Sequence, residues 1–369
     1  MTSMMWDHAS HRTTVGWLAC LCGLAASGTL PGLPHRLAGG AEPSVEAREL
    51  RVGIIGLDTS HAPEFVRLLN KKDDPQHVPG CRVVAACHEA GREVGGNGGR
   101  VPKYTADVRG MGVEIVDGID QLLPRVDAVL LETNDGRQHL GQAVPVLVAG
   151  KPIFIDKPIT ASLADAIALQ RLAERRGTPM FSSSALRFGP ATAAVRGGSI
   201  GPIVGCDTFS PCTLEPTHPD LFWYGIHGCE SLFTVMGPGC EWVSRNYSEE
   251  GDFVIGTWKD GRIGTFRGLR RAARTYGGTA FGEKATAAVG AFEGYRPLVV
   301  EIVKFLQSGR PPVAAAETLE IVAFMEAADE SKRQAGGRVS IDEMMKRAGQ
   351  KADEILAGLD AAGGKPVQP

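Results

Sequence analysis

The chain is poor in aromatic residues, which make up 6% of its 369 positions, and it carries almost no excess of charge: 39 Lys and Arg stand against 42 Asp and Glu, a formal net charge of −3. So even a balance offers nothing to draw nucleic acid or an anionic membrane surface, and neither is expected as a partner. No apolar run is long enough for a stable membrane span. The best one, Val15 to about Ala26, falls well short of the roughly 20 residues that a bilayer core demands. C-x-x-C pairs and zinc-type spacings are also missing. Cys81, Cys87, Cys206, Cys212, Cys229 and Cys240 stand apart, mostly in apolar strands, so they read as buried thiols and no metal site is expected. There are no internal repeats. With 43% hydrophobic and 22% charged residues the composition is that of a globular protein, and 47 glycines with few aromatics fit an α/β enzyme better than a β-sandwich.

The first forty residues differ from the rest. "HRTTVGWLACLCGLAASG" joins a basic patch at Arg12 to a short apolar run, and small residues lead to a cleavage zone near Ala41. That is the layout of a secretory signal peptide, so residues 1–41 are read as a leader and the mature chain is expected to begin near Glu42, exported to the periplasm or another extracytoplasmic space. If the leader is not a signal, the protein is cytoplasmic. No twin arginine precedes the run, and Trp17 fits poorly before a lipoprotein site at Cys20.

From Arg51 onward strands and helices alternate. "RVGIIG", "RVVAACHE", the run Ala128 to Glu132 and "KPIFIDKP" read as buried strands, and "QHLGQAVPVLVAG" and "ASLADAIALQRLAERRG" as helices closed by Gly150 and Gly177. Alternation of this kind predicts a parallel, doubly wound Rossmann sheet over residues 50–180. Beyond about Phe188 the segments become β-rich, with Lys259-Asp260-Gly261 as a hairpin signal, so residues 181–340 are expected to form an α+β domain with an open, mostly antiparallel sheet. Residues 341–369 read as an amphipathic helix and a frayed Gly/Pro tail.

"RVGIIGLDTSH" has the strand–turn–helix context of a dinucleotide site, yet the glycines of G-x-G-x-x-G are kept only at Gly56; Asp58 and His61 replace the other two. Asp58 puts a carboxylate where a pyrophosphate should approach, or serves as an N-cap on the helix amides; Thr59, Ser60 and His61 remain as donors. Glu89, at the end of the second strand, suits the adenosine ribose hydroxyls and favours NAD, while Arg92 nearby keeps NADP open.

Four stretches, in order, give the chain a resemblance. "RVGIIGLDTSH", "VDAVLLETNDGRQHLGQAVPVLVAGKPIFIDKPIT", "ALRFGPATAAVRGGSIGPI" and "FWYGIHGCESLFTVMG" are similar to the glycine turn, the T-P-N to E-K-P stretch, the R-F-x-P segment and the histidine-bearing helix start of the Gfo/Idh/MocA oxidoreductases. The resemblance runs from about Arg51 to Ile341 and implies an NAD- or NADP-dependent oxidoreductase, in a fold whose second sheet carries the substrate. It implies that Lys157, in Asp156-Lys157-Pro158, lies beside nicotinamide and substrate, and that His227 is the acid/base on a substrate hydroxyl, a task for which an imidazole titrates in the right range. It places Thr133, Asn134, His139 and Asp156 along the cofactor side.

The family's aspartate four residues before the histidine is absent: Trp223 stands there, and with Tyr224 it would stack on a sugar ring or belong to the core. Glu230 takes the acidic position three residues on, Arg187 reads as structural, and Arg267, Arg270, Arg271 and Arg274 read as a solvated run or an anion-binding edge. The function expected is hydride transfer on a sugar, polyol or related small molecule by a homo-oligomer. Open alternatives are an impaired relative kept as a carbohydrate- or nucleotide-binding protein, and an NAD-assisted lyase or glycosidase.

Overall fold

The computed structural model describes residues 49–88 and 97–361. The leader, Glu89, Arg92 and the final Gly/Pro tail lie outside the described residues.

The first half reads β1 (Leu50–Ile55), α1 (His61–Asn70), β2 (Cys81–Cys87), α2 (Asn97–Gly110), β3 (Glu114–Val116), α3 (Ile119–Leu122), β4 (Ala128–Leu131), α4 (His139–Val148), β5 (Ile153–Asp156), α5 (Leu163–Arg176) and β6 (Met180–Ser183). The strands form a six-stranded parallel sheet in the order β3-β2-β1-β4-β5-β6, the doubly wound arrangement with its switch point between β1 and β4. Both faces are covered. Val52, Ile54, Leu130 and Phe154 point into one apolar layer, while Ile55, Val129, Leu131 and Ile155 point into the other, the two-residue alternation of a strand buried on both sides. Helix α5 begins where Ser162 accepts the Asp165 amide and ends at Gly177, whose φ of 62° is the left-handed conformation glycine adopts without a Cβ penalty.

The second half continues with α6 (Pro190–Arg196), β7 (Ile203–Pro211), α7 (Ile226–Met236), β8 (Cys240–Ser248), β9 (Gly251–Trp258), β10 (Ile263–Leu269), β11 (Gly277–Gly282), β12 (Thr286–Val289), α8 (Arg296–Ser308), α9 (Ala315–Arg333), β13 (Val339–Ser340) and α10 (Ile341–Ala361). Its seven strands pair in the order β12-β11-β7-β10-β9-β8-β13, all antiparallel except β7 with β10. The mostly antiparallel sheet anticipated from the hairpin signals is present. Along β9, buried and half-buried residues alternate, with α7 and α9 packed on the buried face.

Two late helices return to the first sheet. Leu298, Val299, Ile302 and Phe305 of α8 join Val52, Ile54 and Phe65 in one apolar layer. Each such side chain, fully buried, contributes about 1.5–3 kcal/mol. Helix α10 docks on α5, with Arg171 donating to the Gly349 carbonyl and to Asp353 at 3.0 and 2.7 Å. The cysteines in both sheets are buried free thiols, as their apolar contexts indicated. Among the described residues no helix is long and apolar enough to cross a membrane.

Candidate active site

At the switch point the chain leaves β1 and β4 in opposite directions, and a crevice opens at the C-terminal ends of the strands. Gly56 has a φ of +93°, and a Cβ there would stand 2.5 Å from the Thr133 amide nitrogen, so only glycine lets the two loops approach this closely. Asp58 is not the N-cap of α1. Ser60 holds that position without a side-chain cap, and the Asp58 carboxylate, fully buried, accepts the Asn134 amide at 3.0 Å. Its charge therefore joins the turn after β1 to the loop after β4, because a cross-loop amide is in reach. Thr59 Oγ1 accepts the His61 amide at 3.2 Å.

His61 points across the crevice. Its Nδ1 lies 2.9 Å from Asp156 Oδ2 at the end of β5 and 4.0 Å from Glu132 Oε2 just after β4. The imidazole is bracketed by Phe65 and Tyr295, with ring centroids at 5.9 and 4.7 Å. Burial, reinforced by Asp156, pushes the Glu132 carboxyl well above its usual range. Burial also works against ionisation of Asp156, but His61 and Lys157 outweigh it and hold that carboxyl low. Lys157 follows directly, its Nζ 3.9 Å from Asp156 Oδ2 and its side chain 15% exposed.

Opposite stands His227, in the first turn of α7. Its Nδ1 lies 2.8 Å from Ser184 Oγ, just beyond the end of β6. The segment that carries Ser184 is held from beneath. Glu230 accepts from Ser183 Oγ at 2.5 Å, from the Ser184 amide at 2.7 Å and from Arg187 Nε at 2.8 Å, while Arg187 Nη1 reaches Glu317 at 2.6 Å. Arg187 is structural, as its motif suggested, and Glu230 supports His227 from one turn along the same helix. Burial first, then the charges of Lys157 and His61, lower the His227 pKa well below the ordinary imidazole range. It is neutral at neutral pH.

His139 does not line the crevice. It is fully buried, with Nδ1 3.0 Å from the Pro158 carbonyl and Nε2 2.7 Å from that of Thr133. Both ring nitrogens are occupied in tying the loop after β4 to the turn after Lys157, so no ligand can reach them. Trp223 packs against His218 at 4.9 Å between centroids, and His218 Nε2 meets Asp135 Oδ1 at 3.1 Å. Tyr224 is half-buried, its ring centroid 6.1 Å from that of His227, with the Arg274 guanidinium 4.9 Å above its ring. Of the other arginines, Arg270 pairs with buried Asp252, Arg271 with Glu250 at 2.7 Å, and Arg267 lies over Phe253, so the run is dispersed.

Several residues of the site carry no motif. Tyr276 is edge-on to His227 at 5.5 Å, and Phe292 links Tyr276 to Tyr295, so three of the chain's five tyrosines border the crevice. Ser184 and His218 are ordinary polar residues in loops. Glu132 alone left a signal: a carboxylate that closes the otherwise apolar run "AVLL".

Residues 50–183 match the Gfo/Idh/MocA family, an oxidoreductase family with an NAD-binding Rossmann fold. No curated protein matches the chain. Solved structures share the two-domain fold at low identity. A Lactobacillus casei myo-inositol dehydrogenase in complex with NAD(H) and myo-inositol is 17% identical with a TM-score of 0.64, over 79% of this chain and 97% of that one. The scyllo-inositol dehydrogenase of the same organism, with NAD(H) and scyllo-inositol, is 15% identical with a TM-score of 0.65, over 80% and 100%. GenD2 from gentamicin A biosynthesis, in complex with NAD, is 16% identical with a TM-score of 0.64, over 85% and 99%.

Proposed function

We propose that this chain, a Gfo/Idh/MocA oxidoreductase by its matched Rossmann domain, oxidises or reduces a polyol, sugar or related carbohydrate with NAD or NADP, NAD being favoured. The observation that carries the reading is that Lys157, just after β5, and His227, at the start of α7 and bonded to Ser184 just after β6, both stand at the C-terminal edge of the parallel sheet, near enough for the lysine charge to act on the imidazole. The residues fit a dinucleotide in part: Gly56 keeps the tight turn although Asp58 and His61 replace the other two glycines, and the Asp58 carboxylate accepts the Asn134 amide across the loops. Gly56, Thr59, Ser60 and Asn134 would hold it, with Asp156 and Lys157 at its nicotinamide end.

When bound, a nicotinamide dinucleotide supplies the hydride acceptor. In alcohol oxidation His227 takes the hydroxyl proton on Nε2, since Nδ1 is engaged by Ser184. Lys157 donates to the same substrate oxygen and stabilises negative charge as it develops there. Tyr224, Tyr276 and Tyr295 offer ring faces and hydroxyls of the kind that hold a polyhydroxylated ring.

The test is turnover of an inositol and sugar-alcohol panel by the full chain with NAD and NADP, alongside mass spectrometry of protein purified without added cofactor. Lys157→Ala should abolish reduction of the cofactor in a folded protein, and His227→Ala should slow it roughly a hundred- to ten-thousand-fold. Equal rates for variants and parent would refute the assignment. The leader adds a proposal of export, which N-terminal sequencing from the native host tests: an intact Met1 would overturn it.

A further inference from the structure

Three side chains from separate elements converge at the mouth of the crevice in a way that hydride transfer does not require. His61 opens α1, Glu132 follows β4 and Asp156 ends β5. Glu132 and Asp156 are 0% and 1% exposed, and neither carboxylate has a hydrogen-bond partner on either oxygen among the described residues. His61 Nδ1 lies 2.9 Å from Asp156 Oδ2 and 4.0 Å from Glu132 Oε2, so the imidazole stands between the two carboxylates and nearer to Asp156. Lys157 faces the group from one side at 3.9 Å from Asp156, and no ammonium or guanidinium among the described residues pairs with Glu132. Two buried carboxylates this close are relieved either by a proton on Glu132, which burial and Asp156 favour, or by a cation held between them.

The donor atoms are arranged for one. The ligating atoms of His61, Glu132 and Asp156 all lie within 4.8 Å of one another. With metal–ligand bonds of about 2.1 Å, adjacent ligands of an octahedral ion are about 3.0 Å apart and opposite ones about 4.2 Å. The separations here, 2.9 Å from His61 to Asp156 and 4.0 Å from His61 to Glu132, match that pattern. Phe65 and Tyr295 hold the imidazole plane, the orienting role that the surroundings of a metal ligand commonly play.

We propose that His61, Glu132 and Asp156 bind a divalent first-row transition-metal ion, with its remaining positions open to water or to an oxygen of a bound ligand. One imidazole and two carboxylates offset a 2+ charge and suit manganese, iron, cobalt or zinc better than magnesium or calcium, which prefer oxygen alone. No linear spacing announces the site, because positions 61, 132 and 156 meet only through the sheet. The proposal does not rest on the redox reading, since binding is measured with neither dinucleotide nor substrate present.

The full chain, stripped with a chelator, is titrated calorimetrically with Zn2+ and with Mn2+, with Mg2+ as comparator. One equivalent should bind in this site, with Mg2+ at least tenfold weaker, and the unfolding temperature should rise with the ion. Glu132→Gln and His61→Ala should each weaken binding at least tenfold. If the variants do not fold, anomalous scattering from the cobalt-loaded parent locates the ion directly: a peak among the three side chains supports the site. Failure of Zn2+ and Mn2+ to bind at millimolar concentration, undiminished affinity in folded Glu132→Gln, or a peak confined to another place would overturn it.

Discussion

Replacing Ser184 with alanine tests how the fold prepares His227. Ser184 is fully buried, its Oγ 2.8 Å from His227 Nδ1, and the same oxygen accepts the Leu186 amide at 3.3 Å. A base at Nε2 requires that Nδ1–H donate to Ser184 Oγ, and the Leu186 amide occupies only one lone pair of that oxygen, so the second is open to Nδ1–H. Alanine would leave Nδ1–H buried against a methyl group, a cost of about 1–3 kcal/mol in stability. The ring could then escape to the tautomer protonated on Nε2, which cannot accept the substrate's proton. A loss in kcat/KM of about ten- to a hundredfold follows, equivalent to about 1.4–2.8 kcal/mol. The bond also strengthens when the imidazole is charged, so its loss lowers the His227 pKa further and moves the acidic limb of the pH profile to lower pH. Nitrogen-15 histidine spectra of the parent report the tautomer, and turnover across pH reports the rest. A parent ring protonated on Nε2, or a Ser184→Ala protein with unchanged kcat/KM, would refute the reasoning.

Arg187→Met should cost about 3–5 kcal/mol in urea unfolding, because it leaves Glu230 and Glu317 as buried carboxylates without their shared cation; a loss below about 1 kcal/mol would show that Arg196 alone suffices for Glu317. Asp58→Gly removes the acceptor of the Asn134 amide and should destabilise by about 1–3 kcal/mol, while Asp58→Asn keeps an oxygen there and most of the stability. Equal stability of Asp58→Gly and parent would show that the cross-loop bond holds nothing. The folded-state pKa of His227 lies below its ordinary 6.5, so the folded protein binds fewer protons there; that contribution is whole above pH 6.5 and is lost as the pH falls. The stability of the parent relative to His227→Gln should therefore decline below pH 6.5, by no more than about 1.4 kcal/mol per pH unit, and a difference flat down to about pH 5 would contradict it.

Local order along the chain was enough to read the alternating strands and helices, the change to an antiparallel sheet and the terminating roles of Gly150 and Gly177, because side-chain periodicity and backbone freedom act over a few residues. Lys157 and His227 stood out as candidates for a related reason: each sits in a short motif at an element boundary. What such patterns cannot carry is partnership across the sheet. Asp58 read as a charge facing a pyrophosphate or as a helix cap, and only the closeness of the β4 loop gave its carboxylate the Asn134 amide. His139 read as a cofactor contact, and only the turn after Lys157 supplied the carbonyl that takes up its Nδ1. The convergence of His61, Glu132 and Asp156 spans three elements far apart in sequence. Hydrogen bonds and charges act over a few ångströms of space, and it is the packing of β1 beside β4 and β4 beside β5 that brings those groups within range.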